Sequence, residues 1–146
     1  MSDGNELYGD TLEGLASYTD SALQRDVQAT LSRHDKPALG EALNKNQVAS
    51  KMWLADTLLD TVGPDLGNVL ILGGWFGVLA AVLLHDRRFS IGSVTSLDID
   101  PRCADVALAL NATHVRTGKF AAQTADMLAY DYRGSPAAAG DRKSVV

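Results

Sequence analysis

Residues 68–100, NVLILGGWFGVLAAVLLHDRRFSIGSVTSLDID, decide the fold. Val69, Leu70, Ile71 and Leu72 form a continuous apolar run, the pattern of a strand buried on both faces of a parallel sheet. The chain must then turn sharply. Gly73, Gly74 and Gly77 supply the turn, because glycine has no side chain to block unusual dihedrals or to hold a ligand away from the backbone. Val78 to Leu84 read as a helix, whose free backbone N–H groups and positive dipole end favour an anionic or electron-rich ligand. A second strand is expected over 93–98, with Asp98 at its end, about 20 or slightly more residues past the glycine turn. A carboxylate there can accept hydrogen bonds from both hydroxyls of a ribose. Asp100 followed by Pro101 has the form of an N-cap and a first-turn proline. Asp100 is therefore assigned to capping a helix over 101–111, and Asp98 to the ribose.

Upstream of this βαβ unit the pattern is helical. Val48, Met52, Ala55, Leu58, Leu59 and Val62 form one apolar stripe, which predicts a helix over 46–62 stopped by Gly63 and Pro64. Asp20 can cap an earlier helix to about residue 33, with Leu23, Val27 and Leu31 at four-residue spacing on one face. A further helical stretch follows Pro37, and residues 1–18 read as an acidic arm or short helix. Downstream, the stretch 117–124 is polar with modest β-propensity, and Ala125, Asp126, Met127 and Leu128 read as a strand end passing into a loop. The final RGSPAAAGDRKSVV has a low-complexity middle, after which Ser144 to Val146 can begin a fourth strand. The expected organisation is an N-terminal arm with helices over 1–45, an α/β core over 46–132, and a flexible tail or strand start over 133–146.

Composition narrows the classes. At 146 residues the chain holds one domain, long enough for a real core but short for a complete doubly wound enzyme. A net charge of −5 argues against general affinity for nucleic acid, which depends on basic patches. Arg87 and Arg88, the only adjacent arginines, read as a solvated loop. The longest apolar run is too short to span a bilayer, and the acidic N-terminus does not resemble a signal peptide. The single cysteine, Cys103, excludes an internal disulfide and fits a reducing cytoplasm, and on its helix it reads as a small buried side chain. His34, His85 and His114 are far apart in sequence and read as surface or helix-end residues, so no metal site is expected.

The glycine turn, the acid after the second strand and the acid after the third together resemble class I S-adenosylmethionine-dependent methyltransferases over roughly residues 47–132. The resemblance implies an α/β, Rossmann-like parallel sheet with flanking helices, preceded by a helical segment. It places Gly73, Gly74 and Gly77 beneath the methionine part of S-adenosylmethionine. Asp98 takes the ribose hydroxyls and Ile99 packs on adenine. Asp126, in ADML, contacts the adenine amino group, with Met127 contributing its backbone N–H or side chain. The helix before strand one faces the cofactor in many such proteins, which draws in the polar set Lys45, Asn46, Gln47, Ser50 and Lys51. Gln47 and Ser50 share a face there and either bind the cofactor's carboxylate or amine or form a solvated first turn.

Two departures stand out. The family loop commonly reads acid-x-G-x-G-x-G, and here Ile71 holds the acid position and Trp75 the middle glycine. Trp75 either walls the pocket, where its π face can favour a sulfonium cation by roughly 0.5 to 2 kcal/mol, or packs under the helix. The family's sheet normally has seven strands, whereas this sequence reaches only the start of a fourth. A truncated piece, or a minimal cofactor-binding half completed by another copy in a homo-oligomer, is the expectation.

Three functions follow. The first is methyl transfer to a small molecule or a protein side chain, with no catalytic base named; Tyr130, Asp131 and Tyr132 lie near the end of strand three and either reach the methyl side or form a structural loop. The second is a noncatalytic cofactor-binding or scaffold module. The third, a nicotinamide oxidoreductase, is disfavoured because GGWFGVLA lacks the spacing G-x-G-x-x-G.

Overall fold

A parallel sheet of four strands, in the order β3-β2-β1-β4, organises the chain in a computed structural model that describes residues 25–27, 29, 30, 33, 45–132 and 143–145. Its elements are α1 (Lys45–Thr61), β1 (Asp65–Leu72), α2 (Val78–His85), β2 (Ser90–Asp98), α3 (Pro101–Leu110), α4 (Ala112–Arg116), β3 (Phe120–Thr124) and β4 (Lys143–Val145). This is a Rossmann-like α/β architecture.

Each element follows from its residues. In β1 the side chains alternate between two cores: Val69 and Ile71 join the large cluster, while Leu70 packs with Leu97 in a small one bordered by Leu72, Ala125 and Tyr130. Such double-sided burial removes the polar alternation of a half-exposed strand. Between β1 and β2, α2 is buried along nearly its whole length and packs against both α1 and α3, so these three helices share the large core. Asp100 caps α3 through a 2.9 Å hydrogen bond from Arg102 N–H, with Pro101 in the first turn. Gly63, at φ 102°, ends the turn after α1 and donates to Leu58 O at 3.2 Å.

Several boundaries differ from the sequence reading. β1 begins at Asp65, and β2 at Ser90, because the pairing of Asp65 to Ser90 and Gly67 to Ile91 carries irregularities that interrupt the side-chain alternation. The chain also turns once more after α3, forming the five-residue α4. Lys143–Val145 lie parallel to β1 as the fourth strand, with Asn68 beside Lys143 and Leu70 beside Val145.

Of the described helical residues before 34, Asp26, Val27 and Thr30 are buried. Val27 is 1% exposed within the large cluster, and buried Asp26 accepts a 3.0 Å hydrogen bond from Thr113 N–H in the first turn of α4. The proposed cap Asp20, the apolar residues Leu23 and Leu31, and the stretch after Pro37 lie outside the described residues.

Two side chains are more engaged than the sequence shows. Arg88 stands exposed in the turn after α2, as expected, and from there grips the buried Asp86 with two guanidinium nitrogens and reaches Asp56 on α1 at 2.7 Å, which holds its pKa well above the ordinary arginine value. His85 is the last residue of α2, the helix end of the sequence reading and not the surface one: it is 4% exposed, and its ring meets His114 edge-on with centroids 4.5 Å apart, because α4 folds back against the end of α2.

Candidate functional site

The strand order reverses beside β1: β2 lies on one side of it and β4 on the other. In open parallel sheets, crevices for ligands form beyond the carboxyl ends of strands at such a switch point. The loop at this position is Gly73 to Gly77. Its backbone is left-handed at alternate residues, with φ 68° at Gly73, 50° at Trp75 and 80° at Gly77. Trp75 is thus the one non-glycine among the described residues held at positive φ, in a conformation that costs an L-residue roughly 1 to 2 kcal/mol. The strain is held in place by several contacts. Gly74 N–H donates to Leu97 O at 2.9 Å, and Trp75 stacks on Phe76 with ring centroids 5.1 Å apart.

Two residues that the sequence reading missed shape the loop from below. A Cβ on Gly74 would lie 1.7 Å from Ser96 Oγ, so only glycine lets the loop settle onto β2. Buried Asn111, just after α3, donates from Nδ2 to Gly77 O at 3.1 Å and to Ala107 O at 3.0 Å, pinning the start of α2 to the end of α3. The contacts that reach the loop, Ser96 beneath Gly74 and Asn111 to Gly77, join distant segments and leave no local sequence signal.

Asp98 stands beside this loop because the register sets Leu72 opposite Leu97 and Asp98 opposite Thr124. Its carboxylate is fixed from two sides: Oδ2 accepts from Trp75 N–H at 2.9 Å and Oδ1 from Asp100 N–H at 2.9 Å. A carboxylate oxygen offers two lone pairs, so each retains one for a further donor. Asp100, by contrast, is occupied with α3 and Arg102, whose guanidinium and backbone N–H lower its pKa to about 2.

Next to the loop lies a cavity of about 400 Å³ between α1, the end of β1 and the start of α2. Ser50, Lys51, Trp53 and Leu54 come from α1, and Ile71, Gly73, Gly74, Trp75, Phe76 and Val78 are among those opposite. Of the residues singled out from sequence, the cavity brings together Gly73, Gly74, Trp75, Ser50 and Lys51. Gly77, Asp98, Ile99, Asp126, Met127 and Gln47 do not line it. Asp98 adjoins it through Trp75. Ser50 donates to Gln47 O at 2.8 Å within the first turns of α1, and Lys51 Nζ donates to Gln47 Oε1 at 3.1 Å. Lys51, Trp53 and Leu54 enter the wall because they follow Ser50 along the helix face turned toward the loop.

On the other side of Asp98, Ile99 is 68% exposed, Met127 43% and Leu128 92%. Asp126 is exposed and shapes its own turn, accepting from Leu128 N–H at 2.9 Å. Tyr132 braces that turn through a 2.5 Å hydrogen bond to Met127 O, and its ring meets Tyr130 edge-on. These tyrosines hold the loop's shape.

No protein-family model matches the chain, and no curated protein does. Among solved structures, it is similar to a proposed sarcosine dimethylglycine methyltransferase from Galdieria sulphuraria, at 23% identity over 56% of this chain and 30% of that one, with a TM-score of 0.48. It is also similar to a proposed RNA methyltransferase from Pyrococcus horikoshii, at 24% identity over 59% of this chain and 40% of that one, with a TM-score of 0.44. Protein 1320 of Thermoplasma acidophilum matches at 18% identity over 75% of this chain and 49% of that one, with a TM-score of 0.44. The likeness is one of fold. The chain spans between 30% and 49% of the length of these structures. Among the described residues, no helix is long and apolar enough to cross a membrane.

Proposed function

We propose that the chain binds S-adenosylmethionine and transfers its methyl group to a small molecule or a protein side chain. The observation that carries this reading is the Asp98 carboxylate, fixed by two backbone N–H groups at the sheet's switch point, with one acceptor lone pair left on each oxygen. In this reading Asp98 holds the ribose hydroxyls, and Ile99 and Met127, both exposed apolar side chains, pack on either side of adenine, whose amino group donates to Asp126. Gly73, Gly74 and Gly77 let the cofactor approach the backbone, while Trp75, Ser50 and Gln47 border its methionine end. Methyl transfer needs the sulfonium and the acceptor aligned, and a base only where the acceptor must lose a proton.

A second reading, a noncatalytic cofactor-binding module, draws support from the cavity lining. Among the described lining residues, Ser50 and Lys51 carry the polar side chains, and no carboxylate or imidazole stands ready as a base. Association into a homo-oligomer would allow another copy to supply one. Titration calorimetry with S-adenosylmethionine, S-adenosylhomocysteine and NAD, followed by transfer of a radiolabelled methyl group in cell extract, tests both. Binding of the first two without NAD, and label appearing in an acceptor, supports the transferase. Binding with no transfer supports the module, and NAD binding alone overturns both.

A further inference from the structure

We infer that the cavity between α1 and the glycine loop holds a carboxylate through Lys51 and gives an ammonium no anionic partner, so that the tail of its ligand is bound by its carboxylate alone. The lining decides this. Leu54, Ile71, Leu72, Trp75, Phe76 and Val78 make the walls apolar, and Lys51 is the one charged side chain among the described lining residues. A cavity of about 400 Å³ is in the range of small-molecule sites.

An ammonium carried into this space would leave water without meeting an anion, and would face the like charge of Lys51. A carboxylate meets the opposite situation. Lys51 donates to the neutral Gln47 Oε1 at 3.1 Å, and its ammonium has three donors, so a charge-assisted hydrogen bond to a ligand remains open to it. Val78 and Leu79, in the first turn of α2, also line the cavity, so the positive end of that helix adds to the preference for negative charge. An α-amino acid tail is therefore held by its carboxylate, and its amino group contributes nothing.

The inference rests on the cofactor reading for the nucleoside half alone, and the experiment separates the two. The full chain is titrated with S-adenosylhomocysteine, its deaminated analogue (carboxylate only) and its decarboxylated analogue (amine only). Tryptophan fluorescence follows the nucleoside-free fragments 4-(methylthio)butyrate and 3-(methylthio)propylamine at millimolar concentration. The deaminated analogue should match S-adenosylhomocysteine, while the decarboxylated one binds at least about tenfold more weakly, the loss typical of a hydrogen bond to a charged group. Lys51→Met should erase the difference and Lys51→Arg should keep it.

Equal or tighter binding of the decarboxylated analogue overturns the inference while leaving the cofactor reading intact. Binding of the butyrate and not the amine, with no nucleoside ligand bound, overturns the cofactor reading and supports the carboxylate site. Binding of none of the probes overturns both.

Discussion

Trp75 donates its backbone N–H to Asp98 Oδ2 across 2.9 Å, which ties the middle of the glycine loop to the end of β2. One carboxylate therefore serves the loop's shape and, in the proposed function, the ribose. Asp98→Ala should weaken S-adenosylmethionine binding by about 1.5 to 3 kcal/mol, the range for hydrogen bonds to a charged group. It should also lower the thermal midpoint, because Trp75 and Asp100 lose their acceptor. Asp98→Asn keeps one oxygen and should retain more stability than affinity. Calorimetric titration beside thermal melts reads both quantities, and unchanged affinity in the alanine variant would place the ribose elsewhere.

The left-handed backbone at Trp75 can be tested by comparing two truncations that remove the same ring contacts. Trp75→Gly should be more stable than Trp75→Ala by about 1 kcal/mol, since alanine keeps the steric cost of positive φ and glycine does not. At an ordinary position the order is the reverse. Urea titrations of both variants measure the difference, and an alanine variant as stable as the glycine one would mean that the loop relaxes once the indole is gone.

What the sequence disclosed and what it hid divide along the range of the interactions. The Asp100–Pro101 helix start was legible because a cap is made within three residues. The run Val69–Leu72 was legible because double-sided burial leaves no polar alternation. β3 was only faintly legible, since Ala121, Gln123 and Thr124 are exposed at the sheet edge and supply no apolar pattern. The irregular pairing around Gly67 concealed where β1 starts. The spacing from the glycine turn foretold that Asp98 ends β2, where it stands beside the loop. The contact with Trp75, the seat of Gly74 on Ser96, and the Asn111 amide under Gly77 depend on how distant segments register, and sequence spacing carries no trace of them. Lys51 enters the sequence reading only through the resemblance, as one of five polar residues on the helix before strand one, and its place in the cavity wall is set by the packing of α1 against α2.

Gly74 and Ser96 should behave as a coupled pair. Gly74→Ala brings a methyl group into the Ser96 hydroxyl and should cost about 1 to 3 kcal/mol, as overpacking usually does. Adding Ser96→Gly removes the obstruction, so the double variant should be more stable than the sum of the two single changes. A double-mutant cycle by chemical denaturation checks this, and simple additivity would show that the loop shifts aside.

Acid should weaken the fold partly through Asp100. Its pKa falls to about 2 because the Arg102 side chain, then the Arg102 backbone N–H, bind the ionised form. A depressed carboxylate contributes stability above its unfolded pKa and loses it as pH falls through the folded one. The contribution is therefore complete above about pH 4 and gone below about pH 2. Asp100→Asn should flatten this part of the stability profile, and added salt should shrink the effect, since the Arg102 side chain is 80% exposed. Identical acid profiles for the two proteins would overturn the assignment.

Cys103 should resist thiol reagents in the folded chain. It is 1% exposed, and burial pushes its thiol up to about 11. Reaction with a disulfide reagent at pH 8 should therefore follow the opening of the structure, and accelerate in urea along the unfolding transition. Prompt modification in native buffer would contradict the burial.

The hydrogen bond from Thr113 N–H to Asp26 Oδ2 bears on the order in which the chain folds. α4 has only five residues, too few to persist as a helix by itself. A group 87 positions earlier supplies the acceptor for its first turn. That turn is completed only once a loop of this length has closed, and closing it carries an entropic cost that local helices such as α1 avoid. Amides in α4 should therefore gain protection from exchange after those of α1 during refolding, making this small helix a clock for the arrival of the N-terminal segment.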